Sequence, residues 1–166
     1  VRRGTKVEPL VRGGGQERGI RSGTLNAAGA VAFAVAAKNT LQQMEHHAEQ
    51  SKKLIERIKD FVIQNIPGAK FSRGSQPGLS HNAHFTFEGA KSDSLLFLLD
   101  QAGIAASAGS ACQAGVARPS HVLLAMGRSE AEANGTLRFT VGTATTQADV
   151  DRLLEILPEL VVTARA

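Results

Sequence analysis

Tryptophan and tyrosine are absent from this chain of 166 residues, and cysteine occurs once, as Cys112. With only seven Phe as aromatics, the core has to be built from Ala, Leu, Val and Ile. Without Trp or Tyr to stack on bases, the chain is a poor candidate for binding single-stranded nucleic acid. A single cysteine excludes an internal disulfide framework and any CxxC redox or zinc motif. It also fits a reducing, cytoplasmic compartment. No apolar run reaches the length of a bilayer span; Ala27–Ala37 comes nearest and ends at Lys38. What is present is a globular composition, 42% hydrophobic and 20% charged. Its length suits one domain, or a compact domain with a piece of another.

The charge is local. Of 19 basic and 15 acidic residues, six and two fall within the first 21 positions, and the remainder balance at 13 each. The excess points to an anion site or a charged edge near Arg12, Arg18 and Arg21, not to a surface for nucleic acid. No membrane and no direct nucleic-acid partner is expected. The chain opens at Val1 within what reads as continuing structure, so we expect it to be the C-terminal part of a longer protein.

Strand and helix signals alternate, which predicts an α+β, layered fold. Residues 1–23 are rich in Gly and Arg and read as irregular. Leu25–Asn65 reads as helical. It is nearly all apolar to Ala37, as in a helix buried on most sides, and amphipathic from Leu41. We expect two helices or one kinked helix, broken near Asn39, with a domain crossing there: 1–40 as one unit and 41–166 as the other. Strands are predicted at Ala69–Arg73, His81–Phe87, Ile104–Ser107 and Thr136–Val141. Ser92 is read as the cap of a helix that Gly103 ends. Ser120–Met126 reads as a short helix, Ser129 and Glu132 have capping-box spacing, and Thr146–Asp149 opens the last helix.

Three residues stand out for chemistry. Cys112 lies in a run of small residues between Gly109 and Gly115. That setting suits an accessible nucleophile, while a partly buried inert thiol is the equal alternative. Arg138, on a strand between apolar neighbours, calls for a carboxylate, either from the protein or from a substrate. Thr24 stands at the mouth of the apolar helix, as a plain N-cap or as part of a phosphate site. The segment before it matches neither GxxxxGK[ST] nor GxGxxG. His46 and His47 read as solvated, His81 and His84 face opposite sides of a strand, and His121 reads as structural or surface.

Four segments resemble the C-terminal part of cysteine desulfurases of the NifS/IscS type, PLP-dependent enzymes of the class V aminotransferase-like group. They are Gly-Gly-Gly-Gln-Glu-Arg-Gly-Ile-Arg-Ser-Gly-Thr (13–24), Ser-Ala-Gly-Ser-Ala-Cys (107–112), Pro-Ser-His-Val-Leu-Leu-Ala-Met-Gly (119–127) and Leu-Arg-Phe-Thr-Val-Gly (137–142). The resemblance runs through essentially the whole chain. It implies the small C-terminal domain of a fold-type I PLP enzyme preceded by the tail of its large domain, in a homodimer. It further implies conversion of L-cysteine to L-alanine, with sulfur carried as a Cys112 persulfide to an acceptor such as an iron–sulfur scaffold or a tRNA-thiolation protein. Arg138 then matches the arginine that holds the substrate carboxylate. Thr24 matches the threonine that reaches the pyridoxal phosphate of the partner subunit. No resident metal site is implied, although Cys112 could serve as a transient iron–sulfur ligand.

The chain departs from the family in two ways. None of its lysines (6, 38, 52, 53, 59, 70 and 91) has the His-Lys context of the PLP-bearing lysine, so by itself the chain is expected to be inactive. Ser80-His81 stands where many members have Pro-Asn. Two alternatives follow: a non-catalytic dimerisation or scaffold-docking module, and a related class V enzyme such as a selenocysteine lyase.

Overall fold

The computed structural model describes residues 2, 4–108 and 119–166. They form two compact units, Val1–Met44 and Glu45–Ala166.

The first unit contains an irregular segment with a 3-10 turn at Gln16–Gly19, followed by the start of helix α1 (Ala27–Asn65). The helix runs through Asn39 without interruption. The break expected there does not occur, because Lys38-Asn39-Thr40 holds neither Pro nor Gly and costs only tenths of a kcal/mol (~0.5) per residue in helix propensity. Its cap is not Thr24. Asn26, two residues after Thr24, caps it instead, its Oδ1 accepting from Gly29 N–H at 2.9 Å. A Cβ on Gly29 would lie 2.5 Å from the Asn26 amide, so the glycine makes room for the cap. The apolar stretch is exposed within these residues. Val31 and Phe33 are 64% and 77% exposed, and no residue of α1 before Ser51 is buried.

The second unit is a three-stranded antiparallel sheet with helices, in the order β1 (Ala69–Phe71), β2 (Asn82–Phe87), α2 (Ser92–Gln101), α3 (His121–Ala125), α4 (Glu130–Asn134), β3 (Thr136–Thr140) and α5 (Gln147–Arg165). Strand β2 is central. Alternation gives the sheet two chemically distinct faces. Ala83, Phe85, Phe87, Leu137 and Phe139 are buried in one core with Ile58 and Val62 of α1, Leu95 and Leu99 of α2, and Leu157 and Val161 of α5. Asn82, His84, Thr86, Thr136, Arg138 and Thr140 form the polar face. The expected strand at Ile104–Ser107 reduces to one bridge residue, Ser107.

Local signals set the helix ends. Gly103, at φ +76°, ends α2, and Ile104 N–H turns back to Leu99 O at 2.9 Å. Capping boxes close α4 through Ser129 and Glu132, and α5 through Thr146 and Asp149. Ser92 does not cap α2 as expected. It lies inside the first turn, and its hydroxyl bonds across the unit, to Asn134 O (2.7 Å) and Thr136 O (2.8 Å), while accepting from Thr136 N–H (2.9 Å). A single buried oxygen therefore ties α2 to the start of β3. Gly135 fits the same junction, since a Cβ there would sit 2.7 Å from Phe87 O.

Ser92→Ala leaves the fully buried Thr136 N–H without its partner. It should lower the unfolding free energy by about 2 kcal/mol in urea denaturation; an unchanged midpoint would contradict this role. The box carboxyls add a pH dependence. Asp149 and Glu132 are held below their ordinary values, chiefly by the N–H groups of Thr146 and Ser129. A lowered carboxyl contributes stability above its unfolded pKa, and that contribution is lost as pH falls through the folded value. Acidification below about pH 4 should therefore loosen both helix starts, with protection of the Glu132 and Asp149 amides in hydrogen exchange falling before that of the core strands.

Candidate active site

Arg138 sits in the middle of β3 on the polar face, exposed, and no carboxylate pairs with it among the described residues. The protein partner that a strand arginine ordinarily requires is thus missing. Its backbone is fully engaged: Arg138 N–H donates to Ser107 O at 2.7 Å, and Ser107 N–H donates to Arg138 O at 3.1 Å. This reciprocal pair extends the sheet by one residue on the far side of β3. Ser107 begins the segment that carries Cys112.

The same pair determines how Arg138 meets β2. A strand residue sends its N–H and C=O to the same side, so those of Arg138 are unavailable to its register partner, His84. His84 and Arg138 therefore form the non-hydrogen-bonded type of cross-strand pair, with Cα atoms about 4.5 Å apart and side chains at their closest. His84 is half-buried, and its Nδ1 lies 2.7 Å from Ser72 Oγ. Its pKa lies below the usual histidine value, first because burial disfavours the imidazolium and then because Arg138 repels it. The imidazole is accordingly neutral at neutral pH.

In the first unit, the segment leading to Thr24 is closed on itself. Ser22 N–H donates to Val11 O (3.3 Å), and Gly23 N–H donates to Gln16 Oε1 (2.9 Å). Glu17 and Arg18 both hold positive φ, 50° and 59°, in the turn between. The Arg21 guanidinium donates to Ser22 O, Gly23 O and Thr24 O, which crosslinks the backbone just before α1. Because Asn26 caps the helix, the Thr24 hydroxyl has no hydrogen bond among the described residues. An exposed hydroxyl on a closed, arginine-bearing segment fits contact with a phosphate oxygen.

Of the three residues singled out from sequence, Arg138 lies in the second unit with Ser107, Thr24 belongs to the first, and Cys112 lies outside the described residues. Ser72, His84 and Asn26 had not been singled out as functional or capping residues. Asn26 and Gly29 carried a readable cap spacing. His84 had none, because its nearness to Arg138 exists only through strand register.

The Aminotransferase class-V family model matches residues 5–153. An IscS-like cysteine desulfurase of Mycobacterium tuberculosis is 46% identical over 99% of this chain and 42% of its own length. The cysteine desulfurase NifS of Azotobacter vinelandii is 39% identical over 99% of this chain and 41% of its own. Among solved structures, a NifS-like protein superposes with a TM-score of 0.81 at 29% identity, covering 98% of this chain and 41% of that one. A NifS-like protein from Rickettsia africae gives 0.78 at 25% identity, covering 94% and 40%. This chain spans about two fifths of the length of these relatives. With the family model matched across nearly its whole length, the chain belongs to the class V aminotransferase family.

Proposed function

We propose that this chain supplies the C-terminal part of a cysteine desulfurase that converts L-cysteine to L-alanine and transfers the sulfur to Cys112. The observation that carries the reading is the reciprocal hydrogen bonding of Ser107 and Arg138. It holds Ser107, which precedes Cys112 in the sequence, beside an arginine that has no carboxylate partner among the described residues. Cys112 follows Ser107 by five positions, so the covalent chain limits their Cα separation to about 18 Å.

In this reading Arg138 binds the substrate carboxylate with charge-assisted hydrogen bonds, and its strand fixes the direction of approach. The Cys112 thiolate attacks the substrate sulfur. The new S–S bond leaves Cys112 as a persulfide, the substrate C–S bond breaks, and its electron pair stays with the carbon skeleton. That skeleton takes up a proton and leaves as alanine, so cysteine and one thiol yield alanine and one persulfide. Bound pyridoxal phosphate supplies the electron sink for the substrate carbon. Thr24 would hold a phosphate oxygen of the cofactor bound to a partner subunit, beside the cluster of positive charge at residues 2–21. The persulfide would pass to an acceptor protein such as an iron–sulfur scaffold.

Residues 1–40 would then be the tail of the cofactor-binding domain and 41–166 the small domain. Val31, Phe33 and Val35, all more than half exposed, would be covered by the part of the enzyme that corresponds to the first three fifths of the relatives. With no Schiff-base lysine, residues 1–166 alone should neither develop pyridoxal absorbance nor release alanine; turnover by this chain alone would contradict the reading.

In the complete gene product, Cys112→Ala should lower alanine release from cysteine at least about a hundredfold while pyridoxal absorbance is retained. Full turnover by that variant would overturn the assignment. Arg138→Ala should raise KM for L-cysteine by roughly a hundredfold, as expected when a charge-assisted carboxylate contact is lost.

A further inference from the structure

The reading of Arg138 as the carboxylate-binding residue leaves open what keeps its guanidinium unpaired on a sheet face that carries other polar groups. Position 84 decides this, because it is the closest cross-strand neighbour of position 138. An acidic residue there would lie within reach of the guanidinium and form the ion pair that a strand arginine ordinarily makes. Instead the position holds an imidazole fixed from the opposite side: Ser72 Oγ lies 2.7 Å from Nδ1, and Ser72 N–H also donates to His84 O at 2.9 Å. Ser72 is itself buried. The acidic group nearest Ser72 is already engaged: Lys70 and Arg128 share the Glu132 carboxylate, at 3.5 and 3.8 Å, and Arg128 also donates to Ser72 O at 3.4 Å.

We propose that His84 is a positioning residue for Arg138: locked by Ser72, its imidazole fills the adjacent cross-strand site with a group that does not pair with the guanidinium, and so keeps Arg138 open to the substrate carboxylate. The inference rests on the carboxylate-binding role of Arg138. A neutral ring performs this task in three ways. It excludes a competing anion, supports the aliphatic stem of Arg138 by packing, and leaves the positive charge unquenched. Ser72 prevents the ring from turning away.

The test is the dependence of alanine release on L-cysteine concentration in the complete gene product, with pyridoxal absorbance and melting temperature as checks on folding. His84→Glu should raise KM about tenfold or more, with a smaller change in kcat, because the introduced carboxylate competes with that of the substrate. His84→Asn, uncharged and still able to bond Ser72, should stay within about threefold of the parent KM. His84→Ala and Ser72→Ala should fall between these limits. The proposal is overturned if His84→Glu and His84→Ala keep the parent KM while Arg138→Ala raises it. It falls together with the carboxylate-binding reading if Arg138→Ala leaves KM unchanged. A parallel loss of kcat in every His84 variant, with no change in KM, also overturns it, since that pattern marks a general structural role.

Discussion

Two hydrogen bonds between the backbones of Ser107 and Arg138 govern the geometry of the site. They occupy both polar groups of Arg138 on the outer edge of β3, which fixes the phase of the ladder. Every even-numbered residue from Thr136 to Thr140 then faces away from the core, and Arg138 meets His84 in the closer kind of cross-strand pair. A shift of β3 by one residue would turn the guanidinium into the core beside Phe85 and Phe87 and turn Leu137 and Phe139 out of it. The apolar face thus selects the register, and the register aims the arginine.

This register is protected from the other end of the strand as well. Ser92 links the first turn of α2 to Thr136, and the α4 capping box brings the chain into β3 at a defined point. Tight control at the base of the strand contrasts with the open polar face above it. On that face an arginine with no carboxylate partner among the described residues, a neutral histidine and a buried serine stand together. Such an arrangement gains little for stability and fits the proposed carboxylate-binding role of Arg138.

Short-range patterns were legible in the sequence. The capping boxes at Ser129 and Thr146, the glycine stop at Gly103 and the alternation of β2 and β3 each depend on residues a few positions apart, and each forms as the local chemistry dictates. Readings that required distant partners failed or were absent. Ser92 looked like a cap because a cap is its local option, yet its hydroxyl serves residues more than forty positions away. Asn39 looked like a break because hydrophobicity changes there, although a change of environment does not interrupt a helix. The pairing of His84 with Arg138 was invisible because register belongs to the sheet and not to either strand. Cys112 and Thr24 stood out by context and family resemblance, and their roles belong to the proposed reaction.

The central claim is that Cys112 is the sulfur-accepting thiol. Its most direct test is the mass of the peptide containing Cys112 after the complete gene product, loaded with pyridoxal phosphate, has reacted with L-cysteine in the absence of reductant. The account predicts that this peptide gains one sulfur atom in step with alanine release, and that a reductant removes it. Sustained alanine formation with the Cys112 peptide unmodified at every time point would contradict it.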